Sequence, residues 1–394
     1  MRRYNTSIKA ITQARSAYFL ETGTSPIFLS DWDADYNSIH MPSLTLNSVQ
    51  LSDVQKYYFW TDEEGYRDTI QNYFSNQYAI SLQKDSFTIG SNGTSGIMLT
   101  LSSLKEAGRH SALVVAPVYF STLNLLDELD FDVVEYRLCV SDNFSLNIDI
   151  IENFFVSNSV DTLVITNPLF GCGIELSIDT IRSIVALCNK HNVCLVMDYV
   201  YGGMPWNISN PSHYLFNSPV FQAVSSAEHY VFIESISKRV FLNGAKFALV
   251  FASPKLMKRI LRLSVFMVGS MAQQQVNLVP QIYSLASSRS LTSLIDENAK
   301  LAQNRYNMIK AILSDTRAMI SAANCGYFAL LSIPNTKETD DTQFALDMLK
   351  KTGVLTTPHS RYLHREEGLY SFRVNLLLDQ QCLIDGITKI GNLE

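Results

Sequence analysis

Ser235-Ile-Ser-Lys238-Arg-Val-Phe-Leu-Asn-Gly244-Ala-Lys246 sets a lysine beside two serines, with a second cation eight positions on. The run Tyr230-Val-Phe-Ile leads in and Phe247-Ala-Leu-Val-Phe leads out, and both read as short buried strands. A lysine at the end of a buried strand is costly unless it is paired or used. Its amine forms an imine with an aldehyde when desolvation or nearby positive charge lowers its pKa. Two hydroxyls and a second cation suit a phosphate. The combination points to a phosphorylated aldehyde cofactor, pyridoxal phosphate. Ser-x-Ser-Lys is by itself a common surface turn, so the weight falls on the rest of the chain.

Other polar residues sit where such a group would need them. Phe87-Thr-Ile-Gly90 reads as a strand, followed by Ser91-Asn-Gly93-Thr-Ser-Gly96 and a helical run from Ile97 to Leu104. A strand, a glycine turn and a helix make an anion cradle; an ordinary capped turn is the equal alternative. The spacing is not G-x-G-x-x-G, so a dinucleotide fingerprint is not indicated. Further strands end in Pro117-Val-Tyr119, in Asn167-Pro168 and in Asp198-Tyr-Val-Tyr201, with helices between them. This alternation implies a parallel sheet with right-handed crossovers, whose ligands gather at the C-terminal strand ends. Tyr119, Asn167, Asp198 and Lys238 all fall there.

The elements around them are expected as follows. A helix opens the chain near Ile8, then an extended piece runs from Pro26 through Asp31-Trp32-Asp33 to Asp35. A helical pattern runs from Leu51 to Tyr73, and a polar helix from about 290 to Asp315 crosses the surface between two domains. Strands are expected at Gly326–Ile333, at Val354–Pro358 and at Leu369–Leu377, the last with Arg373 in its middle, before a final helix near Gln380.

Composition bounds the class. The chain has 394 residues, 47% hydrophobic and 17% charged, which suits a well-buried globular enzyme of two or three domains. A net charge of -6 argues against a nucleic-acid partner, and Lys255, Lys258, Arg259 and Arg262 read as a solvated helix face. Six scattered cysteines match neither a zinc site nor a disulfide framework, so free thiols and no metal are expected. His359 and His364 share a polar loop and are expected to be exposed. The first residues lack the apolar core of a signal peptide, and no run is long enough to span a membrane, so a cytoplasmic protein is expected.

Taken together, Ser-x-Ser-Lys, Asp-x-x-Tyr, Asn-Pro and the late Phe-Arg resemble the fold-type I pyridoxal-phosphate enzymes of the aspartate aminotransferase class, over Tyr58 to Arg373. The resemblance implies an α/β fold. A three-layer, mostly parallel large domain over 51–290 would be joined by a smaller α+β domain from both chain ends, 1–50 and 291–394. By similarity, Lys238 would be the Schiff-base lysine and proton carrier. Asp198 would face the pyridine nitrogen, Tyr201 and Asn167 the phenolic oxygen, and Tyr119 the ring face. Gly93, Thr94 and Ser95 would hold the phosphate, with Ser235, Ser237 and Lys246 around it. Arg373 would clamp the substrate carboxylate, with Trp32 and Asn167 beside it. Tyr58 (or Tyr57) and Ser270 would act across the interface of a homodimer.

The chain departs from the family pattern in three places. Lys246 stands for the usual arginine, Asn167-Pro-Leu-Phe-Gly-Cys-Gly173 for Asn-Pro-Thr-Gly, and Asp31-Trp32-Asp33 for the usual loop glycine. The expected activity is transfer of the amino group of an α-amino acid to a 2-oxo acid. A lyase, cyclase, decarboxylase or oxidase on the same cofactor is the alternative, and a non-enzymatic sensor domain the more distant one. The acids around Trp32, with Asp62, Glu63 and Glu64, could draw in a basic substrate side chain, or simply be solvated.

Overall fold

The computed structural model describes residues 7–41, 64–78, 82–83, 85–206, 219–269, 272–286, 289–335, 340–362 and 366–393. Helix Ser7–Thr22 leads to the short strand β1 (Ile27–Phe28). Next come β2 (Phe87–Gly90), β3 (Ser111–Ala116), β4 (Asp132–Arg137), β5 (Thr162–Thr166), β6 (Cys194–Asp198), β7 (Tyr230–Glu234) and β8 (Ala248–Ala252). The C-terminal part supplies β9 (Met319–Ile320), β10 (Phe328–Pro334), β11 (Val354–Leu355) and β12 (Leu369–Asn375).

Strands β2 to β8 form one seven-stranded sheet in the order β2-β8-β7-β6-β5-β3-β4. Strands β4, β3, β5, β6 and β7 run parallel, and β8 is antiparallel to both its neighbours, β7 and β2. Both faces are covered, which is why the strands read as continuous apolar runs rather than alternating ones. Ala112, Val114, Val164, Val196, Val231, Ile233 and Val250 turn to one apolar layer, shared with helices Gly93–Glu106 and Pro254–Met267. Leu113, Val115, Ile165, Met197, Phe232 and Phe251 turn to the other, shared with helices Glu64–Tyr78, Ile178–Lys190 and Gln273–Ala286. The period-two alternation of strand side chains thus gives an α/β sandwich of three layers.

Strands β12-β10-β9 form a separate antiparallel sheet, and β1 pairs in parallel with β11. The N-terminal segment therefore packs with the C-terminal part of the chain. Helix Arg289–Ile312, expected as a polar surface-crossing helix, is amphipathic. Leu291, Ile295, Ala299, Ala302, Tyr306 and Ile309 line one buried face, a stripe that the polar average of the segment conceals. The expected 354–358 strand is interrupted: Val354–Leu355 pair with β1 and Pro358 bridges to Phe372, while between them Thr357 donates its amide to Ser30 Oγ at 3.0 Å. His359 is fully buried, not exposed: it lies against Gly171, and its ring centroid is 4.9 Å from that of Tyr362. The basic cluster does lie on the exposed face of helix Pro254–Met267, where Arg262 pairs with Glu106.

A buried ion pair brackets the turn after β7. Glu234 ends the strand and Arg239 follows Lys238; their side chains meet at 3.0 Å with exposures of 0% and 4%. Arg239 Nε also donates to Gly202 O at 2.9 Å and Nη1 to Tyr73 Oη at 3.2 Å. Gly203, at φ +82°, lets the arginine pass, since a Cβ there would sit 2.7 Å from Nε. Arg239→Ala would remove the cation facing a buried carboxylate, so a loss of about 3–5 kcal/mol of unfolding free energy is expected from denaturant titration.

Candidate active site

The C-terminal ends of β2, β3, β5, β6 and β7 meet along one edge of the large sheet. Because β8 is antiparallel, it is its beginning, just after Lys246, that reaches the same edge. A cleft of about 830 Å³ opens there. Its lining includes Gly93, Thr94, Ser95, Tyr119, Asp198, Tyr201, Ser235, Ser237, Lys238, Lys246 and Trp32. Residues spread over more than 200 positions of sequence are thus brought to one cavity.

Lys238 closes the short 3₁₀ turn Ile236–Lys238. Its Nζ donates to Asn243 Oδ1 at 3.0 Å and stands 5.4 Å from the centre of the Tyr201 ring. Burial first, then the charges of Lys246 and Arg373, lower its pKa to about 8, against an opposing pull from Asp33. About one amine in ten is then neutral at pH 7, against fewer than one in a thousand for a solvated lysine.

Asp198 ends β6 at 7% exposure, and its Oδ1 accepts the Val200 amide at 3.1 Å. Burial raises its pKa to about 6, so it is still mostly ionised at neutral pH. Asn167 is fully buried; its Oδ1 accepts the Leu176 amide at 2.9 Å, while Nδ2 has no partner. An orphaned buried donor carries an uncompensated desolvation cost, and Asn167 is not itself among the residues lining the cleft. Burial pushes the Tyr201 hydroxyl well above the usual phenol range. Tyr119 caps helix Phe120–Glu128 by its backbone, and its ring packs edge-on to Phe120 and tilted against Phe170.

The anion cradle is a capped helix start. Asn92 Oδ1 accepts the Ser95 amide at 2.8 Å, and Ser95 Oγ accepts the Asn92 amide at 3.0 Å. Ser95 is therefore engaged in the cap, and Gly93 and Thr94 present the first-turn amides, with the helix dipole behind them. Gly96 brings the helix close to the sheet: a Cβ there would lie 3.1 Å from Val250 Cγ2. Across the cleft the Ser235 and Ser237 hydroxyls bond each other at 2.7 Å, and Ser235 Oγ donates to Phe247 O. Lys246 is exposed at the mouth in a left-handed conformation.

Arg373 is 2% exposed. Its Nη2 donates to Ser30 O at 2.6 Å, but Nε and Nη1 are buried without a partner. Trp32 covers the guanidinium at 3.5 Å and Phe328 faces it at 4.5 Å. A planar cation in the corner of two perpendicular rings, with two nitrogens left unpartnered, can receive an anion of matching geometry.

Three contributors went unrecognised in the sequence. Asn92 carries the helix-cap signal before Gly93. Asn243 carries none beyond its place before Gly244. Phe170 has no signal at all; its ring centroid lies 4.6 Å from that of Tyr362, 5.5 Å from Tyr119, 6.0 Å from Trp32 and 6.2 Å from Tyr201. Of the acids near Trp32, Asp31 and Asp35 accept hydrogen bonds from their own turns, and only Asp33 lines the cleft. Tyr57, Tyr58, Asp62, Glu63, Ser270 and His364 lie outside the described residues. Among the described residues no cluster suited to a metal ion occurs, and no helix is long and apolar enough to cross a membrane.

A family model described as aminotransferase class I and II matches residues 49–384. An LL-diaminopimelate aminotransferase of Dehalococcoides mccartyi is 21% identical over 239 residues, 61% of this chain and 58% of the relative. A 1-aminocyclopropane-1-carboxylate synthase of Nicotiana tabacum is 25% identical over 239 residues, 56% of this chain and 45% of the relative. The match thus spans about half the length of these two curated relatives. The fold is that of an aspartate aminotransferase double mutant of Thermus thermophilus, with a TM-score of 0.79 at 13% identity, covering 99% of this chain and 98% of that one.

The raised pKa of Asp198 predicts a pH-dependent cost of folding. Below about pH 4 the carboxyl is protonated in both folded and unfolded chains, and there is no cost. Between about pH 4 and the folded value near 6 the unfolded chain releases its proton while the folded chain keeps it, so stability falls. Above pH 6 the full penalty stands, about 3 kcal/mol. In cofactor-free protein, Asp198→Asn is expected to melt higher than wild type at pH 7 and to lose that advantage near pH 4.

Proposed function

The chain belongs to the class I and II aminotransferase family, and on that premise we propose that it is a pyridoxal-phosphate-dependent aminotransferase. It would move the amino group of an α-amino acid to a 2-oxo acid. The observation that carries the reading is one cleft lined by both a lysine of lowered pKa, Lys238, and a buried carboxylate, Asp198. A cleft of about 830 Å³ is within the range of small-molecule sites.

The residues fit the cofactor. Gly93 and Thr94 amides, the Thr94 and Ser237 hydroxyls and Lys246 would hold the phosphate; Lys246 gives charge without the two-pronged grip of arginine. Asp198 would keep the ring nitrogen protonated, Asn167 Nδ2 and Tyr201 would donate to the ring oxygen, and Tyr119 would cover one ring face. When bound, the group supplies an aldehyde carbon and an electron-accepting ring. Lys238 would carry the covalent bond to that carbon and, once released, move a proton at the substrate α-carbon through Nζ. Arg373, through Nε and Nη1, would align the substrate carboxylate, and Trp32 and Phe328 would keep water from it.

The wider organisation is proposed on the same footing. Residues 51–290 would form the large domain, with 1–50 and 291–394 as the small one; the pairing of β1 with β11 supports this. A homodimer would bring Tyr58 and Ser270 across its interface, and the exposed Val265, Phe266 and Met267 just before Ser270 support a covered face there. Free thiols at all six cysteines support a cytoplasmic setting. Another reaction on the same cofactor is the second reading. It is favoured by the similarity to the cyclopropane-carboxylate synthase and by Trp32 in place of a loop glycine.

The purified protein should show an absorbance band near the visible edge that Lys238→Ala abolishes, and should transfer amino groups stoichiometrically to a 2-oxo acid. Release of ammonia or carbon dioxide without transfer would favour the second reading. Arg373→Leu should raise KM for the amino acid about a hundredfold, the loss of a charge-assisted bidentate contact, and leave the absorbance band in place.

A further inference from the structure

A chain of hydrogen bonds links the N-terminal loop to the reactive amine, and the chemistry above makes no use of it. Lys238 Nζ donates to Asn243 Oδ1 at 3.0 Å. Asn243 Nδ2 donates in turn to Asp33 Oδ1 at 2.8 Å and to Trp32 O at 3.3 Å. Only this orientation of the amide matches donors with acceptors. Turned over, it would set an NH₂ against the amine and an oxygen against a carboxylate and a carbonyl. The loop therefore decides which end of Asn243 meets Lys238.

We propose that Asn243, aligned by Asp33, is a further residue of the reaction centre, which receives the Lys238 amine whenever that nitrogen is not bonded to a ligand and fixes its direction and protonation. The proposal rests on the reading of Lys238 as the covalent lysine. Asn243 touches the reacting nitrogen itself, whereas Asp33 is a positioning residue acting through it. The same loop lays Trp32 on Arg373, so one short segment governs both the carboxylate end and the amine end of the site.

The charges that face Lys238 are few. Lys246 and Arg373 disfavour its ammonium form, Asp33 favours it, Tyr201 lies under Nζ with its hydroxyl neutral, and Asp198 stands on the cleft wall. A change at Asp33 or Asn243 is therefore read directly in the titration of this lysine. Asp33→Asn can still accept from Asn243 but loses the charge. Asn243→Asp puts a carboxylate against the amine, and Asn243→Ala removes the acceptor.

The test uses the full chain freed of pyridoxal phosphate, with reductive methylation by formaldehyde followed at Lys238 by peptide mass spectrometry from roughly pH 6 to 10. The midpoint should rise in Asn243→Asp and fall in Asp33→Asn and Asn243→Ala, by about one pH unit in the first case, tenfold in the reactive fraction. A merely structural asparagine would alter the melting temperature and leave these midpoints where they are. Coincident midpoints for wild type, Asp33→Asn and Asn243→Asp would overturn the proposal. Borohydride trapping of pyridoxal phosphate in the same proteins separates the two readings. No adduct at position 238 would sink the cofactor assignment, while opposed midpoint shifts would still support the relay.

Discussion

A lysine that must stay partly uncharged inside the protein sets the terms for the rest of the structure. Burial alone lowers the pKa of Lys238, and Lys246 and Arg373 lower it further. An amine in that state is poorly tolerated by a fold unless its backbone is immobile. The immobility comes from the Glu234–Arg239 pair on either side of the turn and from the guanidinium's bonds to Gly202 and Tyr73. A wholly buried ion pair contributes little net stability, but removing one partner is strongly unfavourable, so the pair acts as a fixed strut under the reactive residue.

Three of the buried polar atoms left without partners follow the same logic. Asn167 Nδ2, Arg373 Nε and Arg373 Nη1 are buried and unpaired, while the atoms beside them, Asn167 Oδ1 and Arg373 Nη2, are bonded to backbone. Each side chain is anchored by one end and open at the other. The open ends carry a desolvation cost that folding does not recover and that a ligand would remove. Asp198 shows the same pattern in its raised pKa. These costs stand beside the cleft, on residues held by a rigid sheet edge and by the Trp32 loop.

Much of the architecture was readable in advance because its causes are local. Continuous apolar runs marked β3, β5, β6 and β7, since strands covered on both faces need no polar side. The strand, glycine turn and helix after Phe87 were readable, although the helix begins at Gly93, capped by Asn92, rather than at Ile97. Where the readings failed, the missing information was not local. The buried stripe of helix Arg289–Ile312 went unread because its polar average conceals it. His359 looked exposed because its neighbours in sequence are polar, whereas its neighbours in space are Gly171 and Tyr362. Phe170 lies in a stretch that departs from the family pattern, and nothing in that stretch signals a ring cluster.

The sequence by itself determined which candidate residues fall at strand ends and turns, because residue type and hydrophobic period are properties of short stretches. The tertiary structure alone decided how those groups share charge and hydrogen bonds. The antiparallel course of β8 carries Lys246 to the cleft, and the N-terminal loop lays Trp32 on Arg373 and turns Asn243 toward Lys238. Such pairings join residues up to 343 positions apart, as from Ser30 to Arg373, and desolvation depends on everything packed around a group rather than on its neighbours along the chain.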